Sequence, residues 1–444
     1  MSDQTKEFEG LSGRTTVLGL QHMFVMFGAT VLVPLITGLD VGVTLFAAGI
    51  GTWLFHILTK FKVPVFLGSS FAFVPPIMAV AGQDGFSLAH ATGGLIVAGG
   101  VYIVIAIIFT FVSYNVLRKI LPPHVTGPII VLIGLILAPV AIGNITNVTG
   151  DNDAAQAVVD QIGKNGAWLV AGFTFAVGVV VKVGFERIGW KFLSTLPVLL
   201  ALILGYILSA IVGIVDFSAI GEANWVGPPD FMLPKFAGGA LALIVPVAIV
   251  TAVEHFGDII AVGNVVKKDF LKDPGINRTL LGDGLATSLS GFLGGPANTT
   301  YSENTGALAL TGVFNPLVMR IAAVFAIILS FVPKFTAVIQ SIPAAVIGGI
   351  SILLFGMIAS IGIRNMIDAR INFDDSRVLI IASAMLVLGI GDATWNITET
   401  VSLSGLGLAA IVGILLNVLI NFRSFKEPPP KSPAEIAGEK AEAQ

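Results

Sequence analysis

The chain has no cysteine among its 444 residues. It therefore forms no disulfide and offers neither a thiolate nucleophile nor a thiolate metal ligand. Its five histidines are scattered without ligand spacing, so no metal site and no cofactor is expected. Charge is scarce as well: Asp, Glu, Lys and Arg make up 11% of the residues, where a soluble domain carries about 25%. The 24 basic and 27 acidic residues leave a net charge of -3, which gives no basic surface for nucleic acid. What remains is apolar, at 55% hydrophobic residues with a mean hydropathy of +0.92. A helix needs about 20 apolar residues to cross a bilayer, so the chain reads as an all-α integral membrane protein with room for about 14 crossings and little else. The first residues, MSDQTKEFEGLSGR, are polar, and no apolar stretch with a small-residue cleavage site follows them. A removed signal peptide is not expected.

Apolar runs begin near 16, 42, 64, 92, 123, 167, 193, 237, 276, 298, 314, 336, 377 and 402. With the N-terminus in the cytoplasm, the loops after even-numbered segments face the same side and should be rich in Lys and Arg. They carry Lys60, Lys62, Arg118, Lys119, Lys182, Arg187, Lys191, Lys267, Lys268, Lys272, Arg278, Arg364, Arg370 and Arg377, whereas only Lys164, Lys235 and Lys334 fall on the other side. Both termini are accordingly expected in the cytoplasm. The stretch from Arg423, with Pro428 to Pro430 followed by Lys, Glu and Ala, reads as a disordered tail.

Transporter folds often duplicate a bundle with inverted topology. A constant offset of 233 lays His22 on His255, Asp40 on Asp273, Gly42 on Gly275, Gly49 on Gly282, Gly51 on Gly284 and Ser69 on Ser302. A shift of seven segments reverses orientation, as an inverted repeat requires. The same offset brings together two unusual segments, Gly68-Ser-Ser-Phe-Ala-Phe-Val-Pro-Pro76 and Gly294-Gly-Pro-Ala-Asn-Thr-Thr-Tyr-Ser-Glu-Asn-Thr-Gly306. Each interrupts an apolar region with Gly, Pro and small polar residues. Irregular backbone at membrane depth is tolerated only where protein buries it or where it lines a cavity, so the breaks in segments 3 and 10 point to a shared central site. Half-helix N-termini beside them would aim N–H groups at ligand carbonyls. The alternative is a pair of polar re-entrant loops outside the bilayer.

Ionisable residues inside membrane segments are costly and usually functional. Glu254 and Asp258, spaced i and i+4, share one face of the eighth segment; Asp283 lies in the ninth and Glu303 in the broken tenth. A buried carboxylic acid can take up and release a proton near neutral pH, and an ionised one accepts hydrogen bonds from ligand N–H groups. Asp283, nearer a cytoplasmic end, reads as part of a structural network. His255, about 100 degrees around the helix from Glu254, reads as structural, and His22, His56, His90 and His124 as packing residues. Phe71, Phe73 and Tyr301 lie in the breaks, where an aromatic face can stack on a planar ring.

The segment Glu303-Asn-Thr-Gly-Ala-Leu-Ala-Leu-Thr-Gly312 resembles the signature of the nucleobase-ascorbate transporter family. Similar agreement lies in Gln21-His-Met-Phe-Val-Met-Phe-Gly-Ala-Thr-Val-Leu-Val-Pro34, Gly68-Ser-Ser-Phe-Ala-Phe73, Glu254-His-Phe-Gly-Asp258 and Pro296-Ala-Asn-Thr-Thr-Tyr-Ser-Glu303, and the resemblance extends over residues 15 to 422. An acidic residue at the head of the signature is similar to the uracil-carrying members; xanthine and urate members usually carry Gln there. The resemblance implies 14 segments as two inverted repeats of seven. A core domain would comprise residues 15–121 (segments 1–4) and 237–335 (segments 8–11). A gate domain would comprise 122–236 (segments 5–7) and 336–422 (segments 12–14), flanked by tails at 1–14 and 423–444. It implies a homodimer in the cytoplasmic membrane that takes up uracil with a proton. Glu254 and Glu303 would hydrogen-bond the pyrimidine, Phe71, its neighbour Ser70 and the backbone around Ser302 would frame it, and Ala29 and Tyr301 would line the pocket. Asp258, together with Glu254, would handle the proton, although well-known relatives carry histidine at the aspartate's position. Phe355 replaces a gate tyrosine, and Ser302 stands where glycine is frequent.

Other classes stay open on the sequence: xanthine or another purine as cargo, sodium as the coupling ion, and a passive channel. Gly68-Ser69-Ser70-Phe71 also fits the loose pattern of an intramembrane serine protease, which would need a histidine base beside the serine.

Overall fold

The computed structural model describes residues 10–112, 114–147, 152–396 and 402–421, without the side chains of 114, 115, 302–304, 311, 396, 402 and 404. The tail assigned to 423–444 and residues 1–9 lie outside this range. The first helix, α1 (Gly13–Thr37), starts at a capping box. The Ser12 hydroxyl accepts from the Thr15 backbone, the Thr15 hydroxyl accepts from the Ser12 backbone, and Gly38 at φ 79° ends the helix. Asp40 then caps α2 (Val41–Leu58), accepting from the Val43 N–H at 2.6 Å.

After α2 the chain runs extended as β1 (Leu67–Ser69), passes through a single 3-10 turn at Phe71–Phe73, and enters α3 (Val74–Ala81), whose first turn carries Pro75 and Pro76. The apolar helices α4 (Leu88–Phe111), α5 (Pro123–Thr146), α6 (Asp153–Arg187) and α7 (Pro197–Val212) follow. The span α8 (Gly238–Val266) is jointed at Pro246, where the ring removes a backbone donor. It leads to α9 (Ile276–Leu293), β2 (Asn298–Thr300) and the half-helix α10 (Ser302–Thr311). Helix α11 (Pro316–Ser330) meets α12 (Pro333–Gln340) at a bend of 88°. The chain closes with α13 (Ala344–Asp368), α14 (Ser376–Ile390), a hairpin of Thr394–Asn396 with Ser402–Ser404, and α15 (Gly405–Ile420).

Length and composition mark seven of these helices as able to cross a membrane, or eight with the bent pair α11 and α12 counted as one span; four shorter apolar helices accompany them. Phe111, Leu169 and Ile211 are 85%, 74% and 78% exposed on their outer faces. Such surfaces suit lipid and not water. Inside, glycines let helices touch backbone to backbone, as small residues do in membrane bundles. A Cβ on Gly49 would meet Ala323 O of α11 at 2.7 Å, one on Gly282 would meet the Phe55 ring of α2 at 2.6 Å, and one on Gly284 would meet Tyr102 Cβ of α4 at 2.7 Å.

The helical character holds nearly throughout, and its main interruption lies at the centre. Strands β1 and β2 pair antiparallel, Leu67 with Thr300, Gly68 with Thr299 and Ser69 with Asn298, and all six residues are buried. Ser70 extends the ladder by donating its N–H to Ala297 O at 2.8 Å. A pair of strands has two open edges, which in lipid is not tolerated unless other groups complete them. Two hydroxyls help to do so. Thr52 of α2 accepts from Leu67 N at 2.9 Å and donates to Leu67 O at 3.4 Å; Thr287 of α9 accepts from Asn298 N at 3.2 Å and donates to Asn298 O at 2.8 Å. Gly51 leaves space for the Asn298 amide, which donates to Ala47 O at 3.1 Å.

Thr287→Val keeps the shape and removes the hydroxyl from both strand contacts, so it is expected to cost about 1–3 kcal/mol, the range for orphaned buried polar groups. Thermal unfolding in detergent checks this: Thr287→Ser should recover most of the loss, and an unchanged melting temperature for the valine variant would contradict the role.

Candidate functional site

Strands β1 and β2 run antiparallel, and each leads into a half-helix, α3 through the turn at Phe71–Phe73 and α10 at Ser302. Residues at both helix starts line a small cavity, and a helix start carries free N–H groups and a positive dipole end. Ser69 and Phe71 line it from the first break, and Thr299, Thr300 and Tyr301 from the second. Glu254 enters from α8; Ile130 and Ile133 of α5 and Ile358 and Ile361 of α13 supply the apolar wall opposite.

The aromatic residues are set by their neighbours. The Phe71 ring packs edge-on against Phe355, with centroids 5.7 Å apart and planes at 74°, a favourable arrangement of ring quadrupoles. Tyr301 donates its hydroxyl to Ser69 O at 3.0 Å. Its ring occupies the space a side chain would take at Gly68, where a Cβ would collide with Tyr301 and lie 2.8 Å from Thr30 Oγ1. The Ser69 hydroxyl donates to Thr30 O at 3.0 Å and ties β1 to α1.

Behind the cavity lies a buried polar network. His255 Nδ1 is 2.8 Å from Asp283 Oδ2 and Nε2 is 2.9 Å from Thr279 Oγ1, with both members of the His–Asp pair wholly buried. Thr300 donates its N–H to the same Asp283 oxygen at 3.3 Å and its hydroxyl to Asp258 Oδ2 at 3.2 Å. Thr299 Oγ1 reaches Asp283 Oδ2 at 3.5 Å.

The structure brings Glu254, Phe71 and Tyr301 to one cavity, and holds Phe355 against Phe71. Glu254 and Asp258 both turn toward β2. Glu254 lines the cavity with Thr300, and Asp258, one turn on, accepts from the Thr300 hydroxyl. Ala29 and Ser70 are buried and are not among the described residues that line the cavity; the Ser70 hydroxyl has no hydrogen-bond partner. Ser302 and Glu303 open α10, and their side chains lie outside the described residues. Among the described residues neither Ser69 nor Ser70 has a histidine within hydrogen-bond reach, so the protease arrangement lacks its base.

Sequence reasoning missed the His255–Asp283 pair. The signal was present in the helical geometry: with Glu254 facing the cavity, His255 turns to the next face of α8 and meets Asp283 of α9. Its partner could not be named without knowing which helix packs there.

A family model described as Permease family (Xan_ur_permease) matches residues 13–398. The chain belongs to this family, the nucleobase-ascorbate transporter family, and is a multi-pass membrane transporter and not an enzyme. Among curated proteins it is similar to the uracil permease of Bacillus caldolyticus, at 43% identity over 415 residues and 92% of each chain. The uracil permease of Bacillus subtilis (strain 168) is 42% identical over 408 residues, covering 90% of this chain and 91% of that one. That of Escherichia coli (strain K12) is 38% identical over 417 residues, covering 94% and 93%. Among solved structures the fold is similar to the transmembrane domain of a cyanobacterium bicarbonate transporter, BicA, with a TM-score of 0.58 at 16% identity over 91% of this chain and 96% of that one. SLC26A9 gives a TM-score of 0.66 at 12% identity, over 92% of this chain and 65% of that one. At these identities the likeness concerns the fold alone.

His255 bridges Asp283 and Thr279, so His255→Leu leaves buried polar groups short of a hydrogen bond and is expected to cost about 1–3 kcal/mol. The double variant His255→Leu/Asp283→Leu should regain part of that loss. Thermal melts of the three proteins decide the matter, and equal losses in the single and double variants would rule out the pairing.

Proposed function

We propose that the chain imports uracil together with a proton across the bacterial cytoplasmic membrane by alternating access. The observation that carries the reading is a cavity framed by two helix starts, an aromatic ring and Glu254, in a chain similar over nine-tenths of its length to proteins named uracil permease. Uracil is neutral and planar, with two carbonyls and two N–H groups, and needs no charged clamp. Glu254, and with it Glu303, accepts from the N–H groups. Backbone N–H groups at the starts of the half-helices donate to the carbonyls, as dipole-bearing helix ends do in other transporters. Phe71 covers one face of the ring. Tyr301, held by Ser69, fixes the edge of the pocket, and Ala29 and Ser70 support it from behind.

In this reading 14 segments form two inverted repeats of seven. The matching roles of Thr52 with Leu67 and of Thr287 with Asn298 support it; these equivalences run two residues to either side of the sequence offset of 233. A core of segments 1–4 and 8–11 carries the substrate against a gate of segments 5–7 and 12–14, with Phe355 at the contact between them, in a homodimer with both termini in the cytoplasm. The proton rides on the acidic cluster of Glu254 and Asp258. Its entry into a negative-inside cell yields about 2.3 kcal/mol per 100 mV, enough to accumulate a neutral base.

The test is radiolabelled uracil uptake into proteoliposomes under an imposed pH gradient, with a sodium gradient and no gradient as controls and xanthine as a competitor. The expected result is accumulation that follows the pH gradient and is displaced by uracil but not by xanthine. Glu254→Gln should lower uracil affinity about 10- to 100-fold, the loss of a hydrogen bond to a charged group. Accumulation driven by sodium, or displaced by xanthine, would overturn the assignment.

A further inference from the structure

Resting on the symport reading, one residue outside the expected site joins the acidic cluster to the pocket wall. Thr300 stands in β2, paired with Leu67 and next to Tyr301, the residue that caps α10. Its side chain and its backbone are held by different carboxylates: the hydroxyl by Asp258 of α8 at 3.2 Å, the N–H by Asp283 of α9 at 3.3 Å. The same hydroxyl oxygen lies 3.4 Å from His255 Nδ1, which is itself committed to Asp283 at 2.8 Å. The titratable groups around it come from three helices, Glu254, His255 and Asp258 on α8, Asp283 on α9, and Tyr102 on α4, which is within electrostatic reach of Asp283 and Glu254; Glu303 follows three residues on in α10.

We infer that Thr300 is the positioning residue that transmits the charge of Asp258 to the substrate pocket. A hydroxyl has one hydrogen to give. While Asp258 is ionised it draws that hydrogen in a charge-assisted bond, about twice as strong as a neutral one. When Asp258 takes up a proton the acceptor weakens and the acid can itself donate to the Thr300 oxygen, so the hydroxyl hydrogen is released from Asp258. Since Thr299, Thr300 and Tyr301 all line the cavity, the change is felt where the ligand sits, in the strand that sets the start of α10. Proton uptake and ligand affinity are thereby linked through one side chain, without the ligand touching Asp258.

The experiment measures uracil affinity of the purified full-length protein between about pH 5.5 and pH 8, where one linked proton changes affinity by at most about tenfold per pH unit. Wild-type affinity is expected to fall as pH rises. Thr300→Val, isosteric but without the hydroxyl, should reduce the slope of log affinity against pH to less than half of the wild-type value, whatever its absolute affinity, and Thr300→Ser should restore it. Asp258→Asn should flatten the profile as well, and the double variant should be no flatter than either single one. Should the valine variant not be recovered as a monodisperse protein, Thr300→Ala carries the same comparison with serine. A steep profile retained in Thr300→Val or Thr300→Ala overturns this inference alone. A flat wild-type profile together with no uptake under a pH gradient overturns the symport reading and this inference with it.

Discussion

Backbone groups that leave a helix inside a membrane must find partners within the protein, and much of this structure can be understood from how two such stretches satisfy each other. Leu67–Ser69 and Asn298–Thr300 pair across the centre of the molecule, and hydroxyls from the preceding helices, Thr52 and Thr287, take up backbone groups at their ends. With those bonds made, each segment can restart as a helix. The result is two N-termini in one place, which no single continuous span supplies. Gly68 and Gly51 follow from the same constraint: at one the Tyr301 ring and at the other the Asn298 amide occupies the volume of a side chain.

The polar groups needed for chemistry are costly at this depth, and the network shows how the cost is contained. His255 and Asp283 hold each other, and Asp283 also accepts from the Thr300 backbone. Leaving a buried polar group unpaired is expensive, so the network fixes α8, α9 and β2 relative to one another. Rigid placement of this kind is what a preorganised site needs, and it leaves Glu254 at the cavity. In the proposed symporter, the same network joins proton uptake to the shape of the pocket.

The membrane class was legible from scarce charge and abundant apolar residues, and the two breaks from Gly, Pro and small polar residues in apolar surroundings. Glu254 stood out because an ionisable group inside a span is rare. Phe71 and Tyr301 were legible only through the segments that contain them, since phenylalanine is common throughout the chain. The strand pairing was not legible: three-residue strands carry no periodicity, and their partner lies more than two hundred residues away. The His255–Asp283 pair was hidden for a related reason. Helical geometry gives the direction in which His255 turns, but only packing shows which helix receives it. The roles of Thr52, Thr287 and Thr300 had no signal at all, because a threonine inside a span most often donates to its own helix, as Thr30 does to Met26 O at 2.9 Å.

The account stands or falls on where the ligand sits. An experimental structure of the full-length protein with uracil bound tests that directly. The account predicts the pyrimidine between Phe71 and the β1–β2 pair, with an N–H group within hydrogen-bond distance of Glu254 and carbonyl oxygens facing the first turns of the two half-helices. Uracil found elsewhere, or in this cavity with Glu254 turned away from it, would contradict the account.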